Sequence, residues 1–301
     1  FESAPRYQNF LIMNLSIVIV SYKSEKLLEK LIKKIPKKNE IIIIENSLQI
    51  NIKKKLEKKY KNTKVIIPDR NLGYASAFNL GFKKSKNTYV LTLTPDVLIN
   101  SKLIQKISKI LNSFKNFTLL APVYKNQNIY KNFSPIDERN YKQKKIQKLV
   151  LQEVKDIDWC FCLINKSKFK NKKVLDENYF LYFETTDLCR ELFLKKHKMY
   201  VVNNLKFEHL GTSSSNNRFK SKIILNRNWH FSWSKFYFFR KNYSYIYALR
   251  KILPNIFQGI YGIFFSLLKV NLLEVKLHVA SLSGFLNSIF LNKSSFRIKL
   301  K

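Results

Sequence analysis

The chain has 301 residues, enough for one large domain or a domain with a helical extension. Hydrophobic residues make up 46% and aromatics 14%, which excludes an intrinsically disordered chain. The balance of 56 Lys and Arg against 20 Asp and Glu gives +36, a charge that favours nucleic acid, anionic lipid headgroups or phosphorylated substrates. Lys, Asn and Ile are frequent from end to end and Gly numbers only 6, the signature of AT-rich coding, so charge alone does not choose among these partners. Cys160, Cys162 and Cys189 form no C-x-x-C pair and give no disulfide framework, which points to a reducing cytosolic compartment.

Residues 1–12 precede Met13 and lack the basic start and long apolar run of a signal peptide, so 1–13 read as a leader remnant. Residues 15–20 (LSIVIV) are a continuous β-branched run, as in a strand buried on both faces. Leu27, Leu28, Leu31 and Ile32 recur at helical spacing over 26–35, before Pro36. A second buried strand, 41–44, ends in Glu45-Asn46-Ser47; a Lys-rich helix over 50–61 and a third strand at 65–67 follow. Strands alternating with amphipathic helices predict right-handed βαβ units and a parallel sheet, its carboxyl ends forming a polar rim. Neither G-x-G-x-x-G nor G-x-x-x-x-G-K occurs.

The stretch 71–96, NLGYASAFNLGFKKSKNTYVLTLTPD, opens with an Asn-Leu-Gly turn and continues as a helix through Ala75, Phe78, Leu80 and Phe82. It then enters a strand over 89–94 and stops at Pro95-Asp96. A carboxylate just past the carboxyl end of a buried strand sits where open α/β sheets place their ligands, although an ordinary β-turn Asp has the same local sequence. Residues 101–114 predict a helix with a Ser start signal, and 119–123 a strand. Residues 124–148 are polar, basic and irregular, a mobile insertion near the site; 157–164 (IDWCFCLI) return to strand character.

The densest acidic cluster spans 175–191 and holds Asp176, Glu177, Glu184, Asp187 and Glu191. Glu184 and Asp187 precede Leu188, Leu192 and Phe193, so they suit a helix amino end and, beside a sheet rim, a site as well. Two short edge strands are expected at 200–202 and 205–208, the second leading into His209 and a Gly/Ser-rich loop, 211–215. From 219 onward the chain is helical and aromatic, with Trp229, Phe231, Trp233, Phe236 and Phe238 interleaved by Arg227, Lys235, Arg240 and Lys241. Residues 252–268 carry no charge and are flanked by Arg250, Lys251 and Lys269. Such helices suit the plane of an anionic membrane surface; the alternatives are a helical subdomain packed on the core or a homodimer interface.

In this order, SIVIVSYKSEKLLEKLI, IIIIENS, NLGYASAFNLG, YVLTLTPDV, LDENYFLYFETTDLC and FEHLGTSS resemble the family 2 inverting glycosyltransferases of the GT-A fold, especially bacterial rhamnosyltransferase-like members. The resemblance implies an α/β fold with a Rossmann-like sheet over 14–218 and a C-terminal helical extension over 219–301. It also implies a dTDP- or UDP-sugar donor and a lipid-linked or polysaccharide acceptor at the cytoplasmic face of the inner membrane. Glu45 stands where an Asp of the family contacts the base, with Ser21, Tyr22, Asn46, Arg70 and the turn Asn71 to Gly73 nearby. TPD matches the metal motif, so Asp96 would hold Mg²⁺ or Mn²⁺ and touch the donor, with His209 as a further ligand. Where relatives read Glu-Asp, with the Asp as general base, this chain has Glu184-Thr185. Either Glu184, which is preferred, or Asp187 takes the role, or the chain is a catalytically impaired scaffold that binds nucleotide sugars. The family's usual Gly near Cys160 is also missing. A basic nucleic-acid-binding protein is the alternative of another class; no RNA-recognition, zinc or helix-turn-helix signature supports it.

Overall fold

The computed structural model describes residues 14–125, 131–137, 143–146, 149–170, 173–211 and 220–297. Residues 1–13, expected to be a leader remnant, and the Ser-rich run beyond Gly211 lie outside the described residues. The amino-terminal half alternates β1 (Ser16–Ser21), α1 (Glu25–Ile32), β2 (Glu40–Glu45), α2 (Ile50–Lys59), β3 (Thr63–Ile66), α3 (Gly73–Lys84) and β4 (Tyr89–Leu93). Its strands are parallel in the order β3-β2-β1-β4, with Ile17 opposite both Ile41 and Leu91. Because both faces are covered, the strands read as continuous apolar runs. Ile17, Ile19, Ile41 and Ile43 pack one layer with Leu28 and Leu56, while Val18 and Ile44 pack the other with Phe78 and Phe82.

Beyond β4 the sheet turns mixed. A two-residue strand β5 (Val97–Leu98), helix α4 (Ser101–Ser113), β6 (Leu119–Tyr124), β7 (Phe133–Pro135), β8 (Gln143–Ile146), β9 (Leu149–Ile157) and β10 (Phe161–Asn165) follow. Then come α5 (Glu184–Leu194) and β11 (Met199–His209), and the order continues β4-β10-β6-β11-β9-β7.

Three expectations change here. The run 157–164 is two strands, because Asp158 Oδ1 accepts the Cys160 backbone N–H at 3.2 Å and turns the chain between β9 and β10. The expected edge strands at 200–208 are one strand, kinked by an irregularity between Val202 and Lys206 and flanked by β6 and β9. The expected irregular insertion, where described, contributes β7 and β8, both antiparallel to β9.

Three helices close the chain: α6 (Lys220–Asn242), α7 (Tyr245–Leu268) and α8 (Leu272–Ile289). Phe236, Ala248, Ile252 and Phe285 form their own small core. Gly259 and Gly262 let α8 approach closely, since a Cβ at either would lie under 3.0 Å from Leu282 or His278. The opposite face of α7 is bare: Phe257, Ile260, Tyr261, Phe264 and Phe265 are each more than half exposed. By length and composition α7 is able to cross a membrane.

Candidate active site

The carboxyl ends of β1 and β2 gather polar groups with unmet hydrogen-bonding capacity. Glu45 is fully buried; its Oε1 accepts from the Ser47 backbone N–H at 2.9 Å and from the Ser47 hydroxyl. Glu45 Oε2 and the buried Ser21 hydroxyl have no partner among the described residues. Burial and the Glu45 charge push the neighbouring Tyr22 phenol up. Asn46 faces elsewhere: its amide donates to the Gly73 carbonyl at 2.9 Å and its oxygen accepts from Leu72 N at 3.3 Å. It therefore fixes the Asn-Leu-Gly turn, which Asn71 Oδ1 also braces by accepting Gly73 N at 3.0 Å. Arg70 is exposed beside that turn.

Gly73 has φ +74°, and Tyr74 N donates to the Phe180 carbonyl at 2.7 Å. One turn on, Asn79 binds the same segment, accepting from Val174 N and Leu175 N at 3.0 Å and donating to Leu175 O at 2.8 Å. The α3 motif thus straps the acidic stretch onto the sheet edge.

Asp96 lies in the turn between β4 and β5 and is 5% exposed. The short β5–β11 ladder places Val97 opposite His209, which brings His209 Nε2 to 3.1 Å from Asp96 Oδ1. Burial works against the Asp96 charge, but the hydrogen bond and charge of His209 outweigh it and hold the carboxyl below its usual value. Burial likewise lowers His209, while the Asp96 bond and the charges of Asp96 and Asp158 raise it, with a net rise. Tyr124 Oη donates to Asp158 Oδ2 at 2.9 Å and lies 3.2 Å from His209 Nδ1, with the two rings stacked at 7°. A chain of contacts therefore runs Asp96–His209–Tyr124–Asp158.

Glu184 opens α5 after two left-handed residues, Tyr182 (φ +71°) and Phe183 (φ +65°). Such backbone costs on the order of 1–3 kcal/mol per residue and persists only where surroundings impose it. Here α6 imposes it: Phe231 packs on both rings, Phe238 on Phe183, and the Ser234 hydroxyl donates to Leu181 O at 2.9 Å. Glu184 is 6% exposed, and its Oε2 has no partner among the described residues. Burial, then the charge of Asp158, push its carboxyl up to about 7 against the pull of its own backbone N–H.

Glu184, Thr185, Asp158, His209, Thr94 and Tyr74 line one cavity of about 520 Å³, with Phe231 and Trp159 among its apolar walls. Asp187 is not part of it. Its oxygens take Lys241 Nζ at 2.5 Å and Asn242 Nδ2 at 2.6 Å, and it lines a separate cavity with Asp176 and Glu191. Asp158 and Tyr124 were missed in the sequence; the signal for Asp158 was an Asp set inside an apolar run.

Asp96 and His209 offer one carboxylate and one imidazole, the residue types that hold Mg²⁺ or Mn²⁺, but they are bonded to each other, and no cluster of three acidic, His or Cys groups occurs among the described residues.

Residues 16–171 match the family described as Glycosyl transferase family 2. The low-salt glycan biosynthesis hexosyltransferase Agl10 of Haloferax volcanii is 26% identical over 201 residues, covering 63% of this chain and 64% of that relative, under two thirds of its length. The mannosyltransferase PcManGT from Pyrobaculum calidifontis, in complex with GDP-Man and Mn²⁺, superposes with a TM-score of 0.55 at 9% identity, over 93% of this chain and 88% of that one. S. aureus TarS 1–349 superposes at 0.51 with 14% identity, over 91% of each chain. By the family match over more than half its length, and by these folds, the chain belongs to glycosyl transferase family 2 and has a GT-A architecture carried on into C-terminal helices.

Proposed function

We infer that this chain transfers a hexose, with inversion, from a nucleoside-diphosphate sugar to an acceptor hydroxyl, using Glu184 as general base. The observation that carries this reading is the shared cavity: Glu184 and His209 line it together, and His209 is bonded to Asp96. The nucleobase would rest against Tyr22 beside Ser21 and Glu45, where Ser21 Oγ and Glu45 Oε2 are buried without a partner among the described residues. Proteins of similar fold support the class of donor. TarS 1–349 has been solved in complex with UDP-GlcNAc and PcManGT with GDP-Man, and the motif resemblance adds dTDP-sugars and rhamnosyl transfer as the finer expectation.

In the transfer itself, the Glu184 carboxylate takes the proton of the acceptor hydroxyl as the hydroxyl oxygen attacks the anomeric carbon and the bond to the diphosphate breaks on the opposite side. A carboxyl poised near 7 suits this task, being ionised often enough and basic enough. The Asp158 charge sustains that basicity, and Tyr124 and His209 hold Asp158 and Asp96 in place. Mg²⁺ or Mn²⁺ held by Asp96 and His209 would offset the charge on the departing diphosphate. The scaffold alternative rests on Thr185, which lines the cavity but has no carboxylate. Glu184 supplies one a residue earlier. The nucleic-acid alternative leaves the cavity carboxylates without a role.

We also place the chain at the cytoplasmic face of a membrane, with the bare apolar face of α7 lying in the interface and Arg250, Lys251 and Lys269 toward anionic headgroups. This fits a lipid-linked acceptor.

Calorimetric titration of UDP, GDP and dTDP, with and without Mn²⁺, tests the donor half of the reading on wild type and Asp96→Ala. Tight Mn²⁺-dependent binding lost in Asp96→Ala supports it. Equal binding by the two proteins, indifferent to EDTA, removes Asp96 from the donor site.

A further inference from the structure

A third cavity, of about 330 Å³, lies between the Asn71 turn and the carboxyl-terminal helices, with Phe180 in its wall. Arg70, Arg240, Lys293 and Arg297 line it together. None of the four is in an ion pair among the described residues, although ten of the chain's 20 acids are. The acid on this cavity wall, Glu177, is already bound to Lys173 at 3.2 Å and to the Asn79 amide at 3.0 Å.

The cations are held in place. Arg297 stacks 3.4 Å from the centre of the Phe180 ring, and Arg240 lies 5.3 Å from that of Tyr237. The strap that carries Lys293 and Arg297 is fastened to α6: Trp233 Nε1 donates to Asn292 O at 3.0 Å, and the His230 ring bonds Ser294 Oγ and Phe296 O, each at 2.9 Å. Burial, then the charge of Arg297, push His230 down to about 3, so its ring is neutral; Nε2 donates to the carbonyl and Nδ1 accepts from the hydroxyl. Burial and the approach of Arg70 lower Arg297 to about 10. Like charges thus share one cavity whose wall acid, Glu177, is engaged by Lys173 and Asn79, an arrangement whose energy falls when an anion enters. A second observation points the same way: Ser288, 2% exposed and on the wall of this cavity, has a hydroxyl with no partner among the described residues.

We propose that this bowl is a binding site for a phosphate-bearing anion, a phosphomonoester or diphosphate, gripped by Arg70, Arg240, Lys293 and Arg297. Forked guanidinium groups suit phosphate oxygens, and the volume suits a small charged group. At the rim, Leu291 is 60% exposed and Phe290 beside it 71%, so an acyl or prenyl chain attached to the phosphate would meet an apolar surface on leaving the bowl. The site shares no lining residue with the transfer cavity, although Arg70 and Asn71 belong to the turn expected beside the nucleotide, and it stands whether or not Glu184 is the base.

The test uses the full chain in EDTA, so that the donor site lacks its cation. Inorganic pyrophosphate is titrated calorimetrically, and flotation is measured on phosphatidylcholine vesicles doped with phosphatidic acid or with phosphatidylglycerol. The variants are Arg240→Gln/Lys293→Gln/Arg297→Gln, the milder Arg240→Gln/Lys293→Gln, and a charge-matched control, Lys58→Gln/Lys83→Gln/Lys84→Gln, on exposed helix positions. Wild type and control bind pyrophosphate alike, and the bowl variants lose at least about tenfold, as expected when charge-assisted contacts are removed. If the natural occupant is a lipid headgroup, wild type also prefers phosphatidic acid over phosphatidylglycerol and the bowl variants lose that preference. If it is a free phosphate, the two vesicles bind equally while the pyrophosphate difference remains. Equal weakening in the bowl and control variants, or no pyrophosphate binding by wild type, overturns the site.

Discussion

Gly73 sits so close beneath Phe180 that a Cβ on it would lie 2.3 Å from the Phe180 carbonyl oxygen. This contact joins the turn after β3 to the segment that leads into Glu184. With φ at +74° as well, the position admits only glycine. Gly73→Ala is expected to destabilise the fold by at least about 2 kcal/mol, from left-handed strain and overpacking combined. Urea unfolding measures it, and a loss under half of that amount would show that Phe180 moves aside freely.

Glu184 links stability to pH with an unusual sign. Its carboxyl is raised from 4.5 to about 7, so the folded protein holds a proton that the unfolded chain releases between those values. Stability therefore falls as pH rises from about 4.5 to 7, and the full cost, about 3 kcal/mol at most, is present above 7. Glu184→Gln removes it. The variant is expected to melt higher than wild type at pH 8 and at the same temperature near pH 4. A lower melting point at pH 8 would contradict the buried, unpartnered carboxyl.

Asp158 acts on Glu184 through its charge. Asp158→Asn is expected to lower the Glu184 carboxyl and move the rising limb of log kcat/KM against pH toward acid. An unmoved limb, at any height of the profile, would mean that Asp158 does not act electrostatically on the base.

Much of this was legible in the sequence, for identifiable reasons. β1, β2 and β4 are buried on both faces, so their continuous apolar runs stand out, and Asp96 follows such a run. β9 reads LVLQEVKDI, a half-covered strand whose polar positions resemble loop sequence. Its neighbour β11 consequently looked like an edge. Glu184 and Asp187 look equivalent three residues apart, and only Lys241 and Asn242, which arrive on α6, draw Asp187 away from the cavity. Asp158 was hidden because its turn depends on one side-chain bond to Cys160 N, and its role on Tyr124, distant in the chain. The aromatic run after 219 was visible as helical, but its work, holding Tyr182 and Phe183 in a strained geometry, depends on packing alone.

The apolar face of α7 makes a separate prediction. Wild type is expected to float with anionic vesicles and to stay partly bound after a high-salt wash, because salt screens the cations but not the buried apolar area. Phe257→Glu/Phe264→Glu should be released by that wash. Retention equal to wild type would assign this face to protein contact.

The central claim is tested most directly by single-turnover transfer in Glu184→Gln and Asp187→Asn, with donor affinity measured on the same samples. Glu184→Gln is predicted to slow the chemical step by about 10²–10⁴-fold at unchanged donor affinity, and Asp187→Asn to leave that step within about tenfold. Transfer at the wild-type rate by Glu184→Gln, or a collapse confined to Asp187→Asn, would contradict it.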